Sequence, residues 1–305
     1  MSSGNKNSEQ VNIIGAGLSG LSAAITLASH GIACNLISSQ PSERAQSVLA
    51  EGGINAALDT MGEQDTTEEH YADTMRGGCN LESETAVRGL TEEAPEIVRM
   101  LVRWGVPFQQ EQGRLILRNF GGQKKKRTAY AKSSTGKMIM TALIDEVRKY
   151  EASGMITRYP HHELVGMRIE NRHLLYITVQ DYYDQTFLTF TEPVILCTGG
   201  LNGFFEGMTT GTTQNTGNAA AIAFDCGVEF SNLEYIQYHP TTISISNKRM
   251  LISEAARGEG GRLYILRNGQ PWYFMEEKYP ELGNLMPRDV VSREMVFAVQ
   301  EDGCT

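Results

Sequence analysis

No apolar stretch in this sequence reaches the roughly 18 to 20 residues that a membrane-spanning helix needs. The opening residues, MSSGNKNSEQ, are polar where a secretory signal would be apolar. A cytoplasmic protein with no direct membrane span is expected. Cysteine is sparse: Cys34, Cys79, Cys197, Cys226 and Cys304 are odd in number and form no Cys-x-x-Cys pair. A disulfide framework is therefore excluded, no zinc or iron–sulfur ligand set is suggested, and the thiols read as reduced and structural. Positive charge is short as well, with 27 Lys and Arg against 36 Asp and Glu and a net charge of −9. A broad basic face for nucleic acid or anionic membrane is not expected, so an anionic ligand would need a local basic pocket. Hydrophobic residues at 41% and charged residues at 21% exclude a disordered or low-complexity chain. The 305 residues suffice for one large or two medium domains, and no internal repeat or long linker is visible.

What is present is organised from the start. The apolar run 11–14 breaks into Gly15-Ala16-Gly17-Leu18-Ser19-Gly20, a small-residue amphipathic stretch covers 21–30, Gly31 stops it, and a second apolar run covers 32–37. This pattern predicts strand, tight turn, helix and strand, with the two strands parallel. Helical spacing recurs over 67–76, 83–104 and 135–150, and Leu90, Ile97 and Leu101 are expected to form the apolar stripe of the middle segment. Residues 173–180 and 185–196 predict the two strands of a hairpin around a polar turn at 181–184. The second strand leads into Cys197-Thr198-Gly199-Gly200, which suits the carboxyl edge of a cofactor-binding sheet. Residues 216–226 predict a helix stopped at Gly227, and after Tyr238-His239-Pro240 the composition shifts toward Gly, Arg and aromatics.

A Gly-x-Gly-x-x-Gly pattern alone is weak in a chain with 31 glycines. Here it follows a predicted strand and opens a predicted helix. The first glycine then makes the turn, the second admits a pyrophosphate to the backbone, and the third allows helix and strand to pack closely. An acidic residue normally ends the second strand and holds a ribose. Ser38 and Ser39 stand there instead, which argues against a plain NAD site.

Further along, the sequence carries Gln46-Ser47-Val48-Leu49-Ala50-Glu51-Gly52-Gly53, Asn119-Phe120-Gly121-Gly122, Arg127-Thr128 with Ser134-Thr135-Gly136, and Thr198-Gly199-Gly200. EYIQYHPT then runs from Glu234 to Thr241, SEAARGEGG from Ser253 to Gly261, and Pro287-Arg288-Asp289 follows. Together with the glycine motif, this series resembles the flavoprotein subunits of the fumarate reductase, succinate dehydrogenase and L-aspartate oxidase family, over essentially the whole chain. The resemblance implies an α/β fold, in which a Rossmann-like FAD-binding domain (1–240) carries a smaller α+β capping domain (241–305). It implies FAD as cofactor, held by Gly15, Ala16, Gly17 and Gly20 at the first turn and by Ser38 and Ser39 at the strand end. Gln46, Ser47, Ala50, Gly52 and Gly53 of the next loop are implied to contribute, as are Thr198, Gly199 and Gly200. Members with a covalent flavin carry histidine where Gln46 stands, so the FAD is expected to be non-covalent. Asn218 falls where the family usually has aspartate, which leaves the cofactor contacts of that helix open.

The same resemblance assigns a substrate site for a small dicarboxylate. His239 and Ser253 are implied to bind carboxylates and Phe120 to pack on the carbon chain. Arg288 is implied to be the catalytic arginine that protonates a substrate carbon, resupplied through Glu254 and Arg257, which share a face at i,i+3 spacing. A permanently charged carboxylate clamp is the alternative reading of Arg288. L-Aspartate oxidase carries glutamate at the position of Phe120 to bind the substrate ammonium, so the expected activity is interconversion of fumarate and succinate. L-Aspartate oxidase and a catalytically silent flavin-binding module are the alternatives. The Lys124-Lys125-Lys126-Arg127 run is expected to be a solvated loop. Family members continue well past the Pro-Arg-Asp motif, so either a fragment of a longer chain or a degraded relative is expected, and an iron–sulfur subunit is an implied electron-transfer partner.

Overall fold

The computed structural model describes residues 10–246 and 248–301, and Cys304 lies outside the described residues. Cys34, Cys79, Cys197 and Cys226 are free thiols. No helix among the described residues is long and apolar enough to cross a membrane. The chain divides into two compact units: residues 10–50 with Gly136–Leu233, and Glu51–Thr135 with residues 234–301. This differs from the division expected at residue 240. The reason lies in strand order, because a neighbour of the second strand of the first unit arrives only at residue 156, after the chain has left and built much of the second unit. Composition carries no mark of such an excursion.

In the first unit, β1 (Gln10–Ile14), α1 (Leu18–Ser29) and β2 (Ala33–Ser38) form the expected βαβ start, with Asn12 opposite Asn35 in parallel register. Helix α2 (Thr135–Ala152) leads to β3 (Ile156–Pro160), and an antiparallel meander follows as β4 (His162–Glu170), β5 (His173–Asp181) and β6 (Phe187–Phe190). Strand β7 (Val194–Leu196) then joins the first sheet, whose order is β7-β1-β2-β3, all parallel. Ile14 and Ile37 of that sheet share a core with Leu164, Ile177 and Val179 of the meander. The expected strand 185–196 is thus two strands in two sheets. Pro193 separates them: it has no N–H to donate, and its carbonyl accepts from the Asn12 N–H at 2.8 Å, which starts the pairing with β1. Helix α3 (Asn218–Asp225) ends before Gly227, whose φ is +87°.

In the second unit a small antiparallel sheet joins Ile54–Asn55, Thr128–Ala129 and Leu117–Arg118. Two helices, Thr67–Gly77 and Glu84–Arg103, are capped by the Thr66 and Ser83 side chains. Short hairpins lie at Gln110–Glu111 with Arg114–Leu115, Thr242–Ile245 with Lys248–Leu251, and Ile265–Arg267 with Gln270–Trp272. Helices Ala255–Gly258, Phe274–Lys278 and Arg288–Glu301 complete it, with Phe274, Met275, Val291 and Ala298 as a core. The expected stripe of the long helix needs correction. Leu90 and Ile97 are 59% and 37% exposed, and the buried face is Val87, Thr91, Ala94, Val98 and Leu101. That face repeats at alternating steps of four and three, and Leu90 and Ile97 lie on its flank.

The expected solvated run also divides, because Arg127 is buried and pairs with Asp65 at 2.8 Å and Asp73 at 3.0 Å. His70 is buried beside this cluster, and burial first, then the Arg127 charge, pushes its ring down to about 4. The unfolded chain therefore takes up the proton first as pH falls below about 6.5, and stability held above that value is lost toward pH 4. Between pH 7 and pH 5 this amounts to about 2 kcal/mol, or roughly 3 °C in Tm for a chain of this length. Thermal melts of His70→Gln are expected to show a correspondingly smaller drop over that interval than the wild type, and equal drops would refute the assignment.

Candidate functional site

Two groups of candidate residues emerge, one in each unit. In the first unit a cleft of about 480 Å³ opens along the carboxyl ends of β1, β2 and β7, within the range of ligand sites. The β1–α1 turn forms its floor. A Cβ on Gly15 would sit 2.2 Å from the Cys197 carbonyl oxygen, and one on Gly20 only 1.8 Å from that of Gly15. These two glycines therefore serve the close turn and the packing of helix on strand. A Cβ on Gly17 would meet only ordinary contacts, Ser47 Oγ at 3.5 Å and Ala45 Cβ at 3.7 Å. Helix α1 begins there with no acidic residue in its first turn; the Leu18 N–H donates to Ser47 Oγ at 3.2 Å, and the positive end of the helix dipole lies at the cleft.

Gly15, Ala16, Gly17, Ser38 and Ser39 all line this cleft. Gln46, Ser47, Thr198, Gly199, Gly200 and Asn218 line it as well. Gly20, Ala50, Gly52 and Gly53 do not. The Ala50 carbonyl accepts from the Gly136 N–H at 2.7 Å. Gly52 and Gly53 belong to the second unit, where a Cβ would meet Phe120 Cζ at 2.6 Å and Thr128 Cγ2 at 2.5 Å respectively. Gln46 is tied down, its Oε1 accepting from the Thr212 N–H at 2.6 Å. Asn218 uses its amide to donate to Glu163 Oε1 at 3.0 Å and to the Leu164 carbonyl at 3.3 Å. Glu163 also lines the cleft, and sequence reasoning did not single it out, although the alternation over 162–170 marks its strand.

The second group is centred on Glu254, which is 4% exposed. Its Oε2 accepts from Arg288 Nε at 2.9 Å, and its Oε1 lies 3.4 Å from Arg257 Nη2. Arg257 is 3% exposed and donates from Nη1 to the Asn284 carbonyl at 2.7 Å, while its Nε and Nη2 make no hydrogen bond. Burial draws its guanidinium below the ordinary arginine range. Arg288 is 37% exposed, and its Nη1 donates to Gln237 Oε1 at 2.9 Å, a partner that the sequence contained in EYIQYHPT but did not mark out. The local fold makes room for this network. A Cβ on Gly121 would stand 1.9 Å from Glu254 Oε1, and one on Gly258 2.7 Å from the Asn119 carbonyl, so the Asn-Phe-Gly-Gly turn can lie directly against the Glu-x-x-Arg turn.

His239 senses the same charges. Burial, followed by the Arg288 guanidinium, lowers its ring below the usual histidine range and keeps it neutral. Its Nδ1 is 3.0 Å from the Thr241 carbonyl and 3.3 Å from the Thr241 N–H. Ser253 Oγ accepts from the Ala255 N–H at 3.4 Å. Phe120 lies over Gly52, with the Arg118 guanidinium 6.0 Å from its ring centre. The structure therefore joins Glu254, Arg257 and Arg288 by ion pairs, sets Ser253 beside Glu254, and brings the Phe120 turn and His239 to the same cluster. No group of His, Cys, Asp or Glu among the described residues could hold a metal ion.

Comparison with known proteins finds relatives of the chain. Residues 10–304 match the protein family described as FAD binding domain. The chain is 43% identical over 286 residues to the succinate dehydrogenase flavoprotein subunit of Bacillus subtilis (strain 168), covering 93% of this chain and 49% of that protein. It is 33% identical over 300 residues to L-aspartate oxidase 2 of Ralstonia nicotianae, covering 96% and 53%. Among solved structures, FrdA of E. coli quinol fumarate reductase, in a mutant form, superposes with a TM-score of 0.87 at 27% identity, covering 96% of this chain and 51% of that one. The chain spans about half the length of the relatives it matches.

Gln46 lines the cleft where a histidine would be needed for a covalent flavin bond, and an amide has no ring nitrogen to offer. Acid precipitation of the purified protein is expected to leave all yellow colour in the supernatant. Flavin retained on the pellet would refute this.

Proposed function

Because the chain belongs to the FAD-binding-domain family that includes succinate dehydrogenase, fumarate reductase and L-aspartate oxidase flavoproteins, we propose that it serves to interconvert fumarate and succinate. The first unit is the FAD-binding part and the second the substrate part. FAD fits the cleft by its chemistry: a helix N-terminus without acidic residues in its first turn for the pyrophosphate, and Gly15 and Gly17 lining the turn that leads into it. Bound there, it would supply or take up a hydride.

The observation that carries the reading is the position of Glu254 between two arginines. Arginine is a poor acid, with a pKa above about 12. It can serve as a proton donor only if the lost proton is replaced at once. Arg288 is the exposed member of the network, while Glu254 and Arg257 are buried behind it, which orders them as outlet and reservoir. Arg288 Nε and Nη1 are taken by Glu254 and Gln237, leaving Nη2 to meet the substrate. In the reductive direction one alkene carbon receives the hydride, and the other takes a proton from Arg288. Glu254 then relays to the neutral guanidine a proton that it draws from Arg257, and Arg257 has to be recharged before the next turnover.

His239 and Ser253 hold the carboxylates. In the tautomer that carries the proton on Nε2, Nδ1 accepts from the Thr241 N–H and Nε2 is free to donate to an approaching carboxylate. Phe120 offers an apolar wall and no carboxylate for an ammonium group. The relative in Bacillus subtilis is named as a subunit, which supports an electron-transfer partner for this chain.

Arg288→Gln, made in the complete protein, is expected to lower kcat for fumarate reduction by at least about 10²-fold while leaving FAD content unchanged. A loss of about tenfold confined to KM would identify a carboxylate clamp instead. The complete protein is also expected to show a higher kcat/KM for fumarate or succinate than for L-aspartate, because an unpaired ammonium against Phe120 would cost several kcal/mol. Phe120→Glu is expected to move the preference toward aspartate. A wild type that oxidises aspartate more efficiently would overturn the assignment, and a flavin-loaded protein inert to all of these substrates would favour a silent module.

A further inference from the structure

The cleft in the first unit holds one carboxylate. Among the described residues that line it, Glu163 is the only acid, facing a site otherwise built from glycines, hydroxyls, amides and Arg44. A carboxylate is unwelcome near a pyrophosphate, so its place in the cleft marks a part of the ligand that offers hydrogen-bond donors. Strand register says which part. Ser38, at the carboxyl end of β2, lies opposite Pro160 of β3, and Glu163 follows three residues later at the start of β4. Glu163 thus stands beside the strand end at which dinucleotide sites hold the adenosine ribose.

Neither residue at that strand end, Ser38 or Ser39, carries the usual carboxylate. The Ser38 hydroxyl is committed to the turn, donating to the Gln40 carbonyl at 2.8 Å. Glu163 is instead prepared as an acceptor: Tyr182 donates its hydroxyl to Oε2 at 2.6 Å, and Asn218 donates its amide to Oε1 at 3.0 Å. Each carboxylate oxygen accepts up to two hydrogen bonds, so each retains one acceptor direction. Two adjacent acceptors held by a fixed carboxylate match the two donors of a cis-diol.

We propose that Glu163 selects the adenosine half of FAD by accepting hydrogen bonds from the ribose hydroxyls, replacing the acid that is absent from the end of β2. The inference rests on FAD being the ligand of this cleft. Hydrogen bonds to a charged acceptor are worth roughly 10- to 100-fold in affinity.

The test uses apoprotein prepared from the complete protein, with ADP and 2′,3′-dideoxy-ADP as competitors of FAD and flavin fluorescence as the readout. The wild type is expected to bind ADP at least about tenfold more tightly than the dideoxy probe, and Glu163→Gln to bring the ratio within about threefold. A Glu163 that only holds Tyr182 and Asn218 in place would weaken both probes equally, and an unchanged ratio in the variant overturns the proposal. If the variant does not fold, equal affinities for the two probes in the wild type overturn it alone. Tight FAD binding without a diol preference rejects only this inference, whereas no saturable FAD binding rejects the cofactor reading as well.

Discussion

The ion network around Glu254 constrains much of the second unit. A carboxylate 4% exposed beside a guanidinium 3% exposed is costly to remove from water, and the cost is offset only if both groups keep well-placed partners. Glu254 has them in Arg288 and Arg257, and Arg257 has a further one in the Asn284 carbonyl. The Nε and Nη2 of Arg257 nevertheless make no hydrogen bond. A network tuned only for stability would have satisfied them or replaced them with apolar groups. Its glycines point the same way, since Gly121 and Gly258 each leave room for a close approach that any side chain would block.

The cleft of the first unit has few ionised side chains. Arg44 and Glu163 line it beside a helix N-terminus and several hydroxyls, so attraction for an anion comes from one cation and from fixed dipoles. This agrees with a chain whose net charge of −9 offers no general pull on an anionic ligand.

How much of this was legible in the sequence depended on the range of the cause. The β1–α1–β2 start was read closely because strand, turn and helix are specified by adjacent residues, and the helices over 67–76, 83–104 and 135–150 were found for the same reason. Glu254 and Arg257 could be paired by their spacing, yet the link to Arg288 crosses 34 residues and rested on resemblance. The failures are those in which a distant partner decides. Leu90 and Ile97 are apolar at helical spacing, but the neighbouring helix covers the face beside them. The break at Pro193 depends on β1, some 180 residues earlier, claiming the strand after it. Gly52 and Gly53 sit within a flavin-loop motif, but their close approach to Phe120 and Thr128 is a packing fact that no local pattern contains.

Asn218 shows how a departure from a family pattern can be explained by its neighbour. The first turn of α3 faces the cleft, where the resemblance anticipates aspartate. With Glu163 Oε1 only 3.0 Å from the Asn218 amide nitrogen, a carboxylate at this position would face another carboxylate, and like charges at that distance cannot both remain ionised without a large penalty. Asparagine removes the repulsion and turns the contact into a charge-assisted hydrogen bond. It also donates to the Leu164 carbonyl, so one side chain ties α3 to β4 while holding the Glu163 carboxylate in position. The amide at 218 and the single acid at 163 are then two parts of one arrangement, in which the cleft's one carboxylate lies on the strand that adjoins the helix.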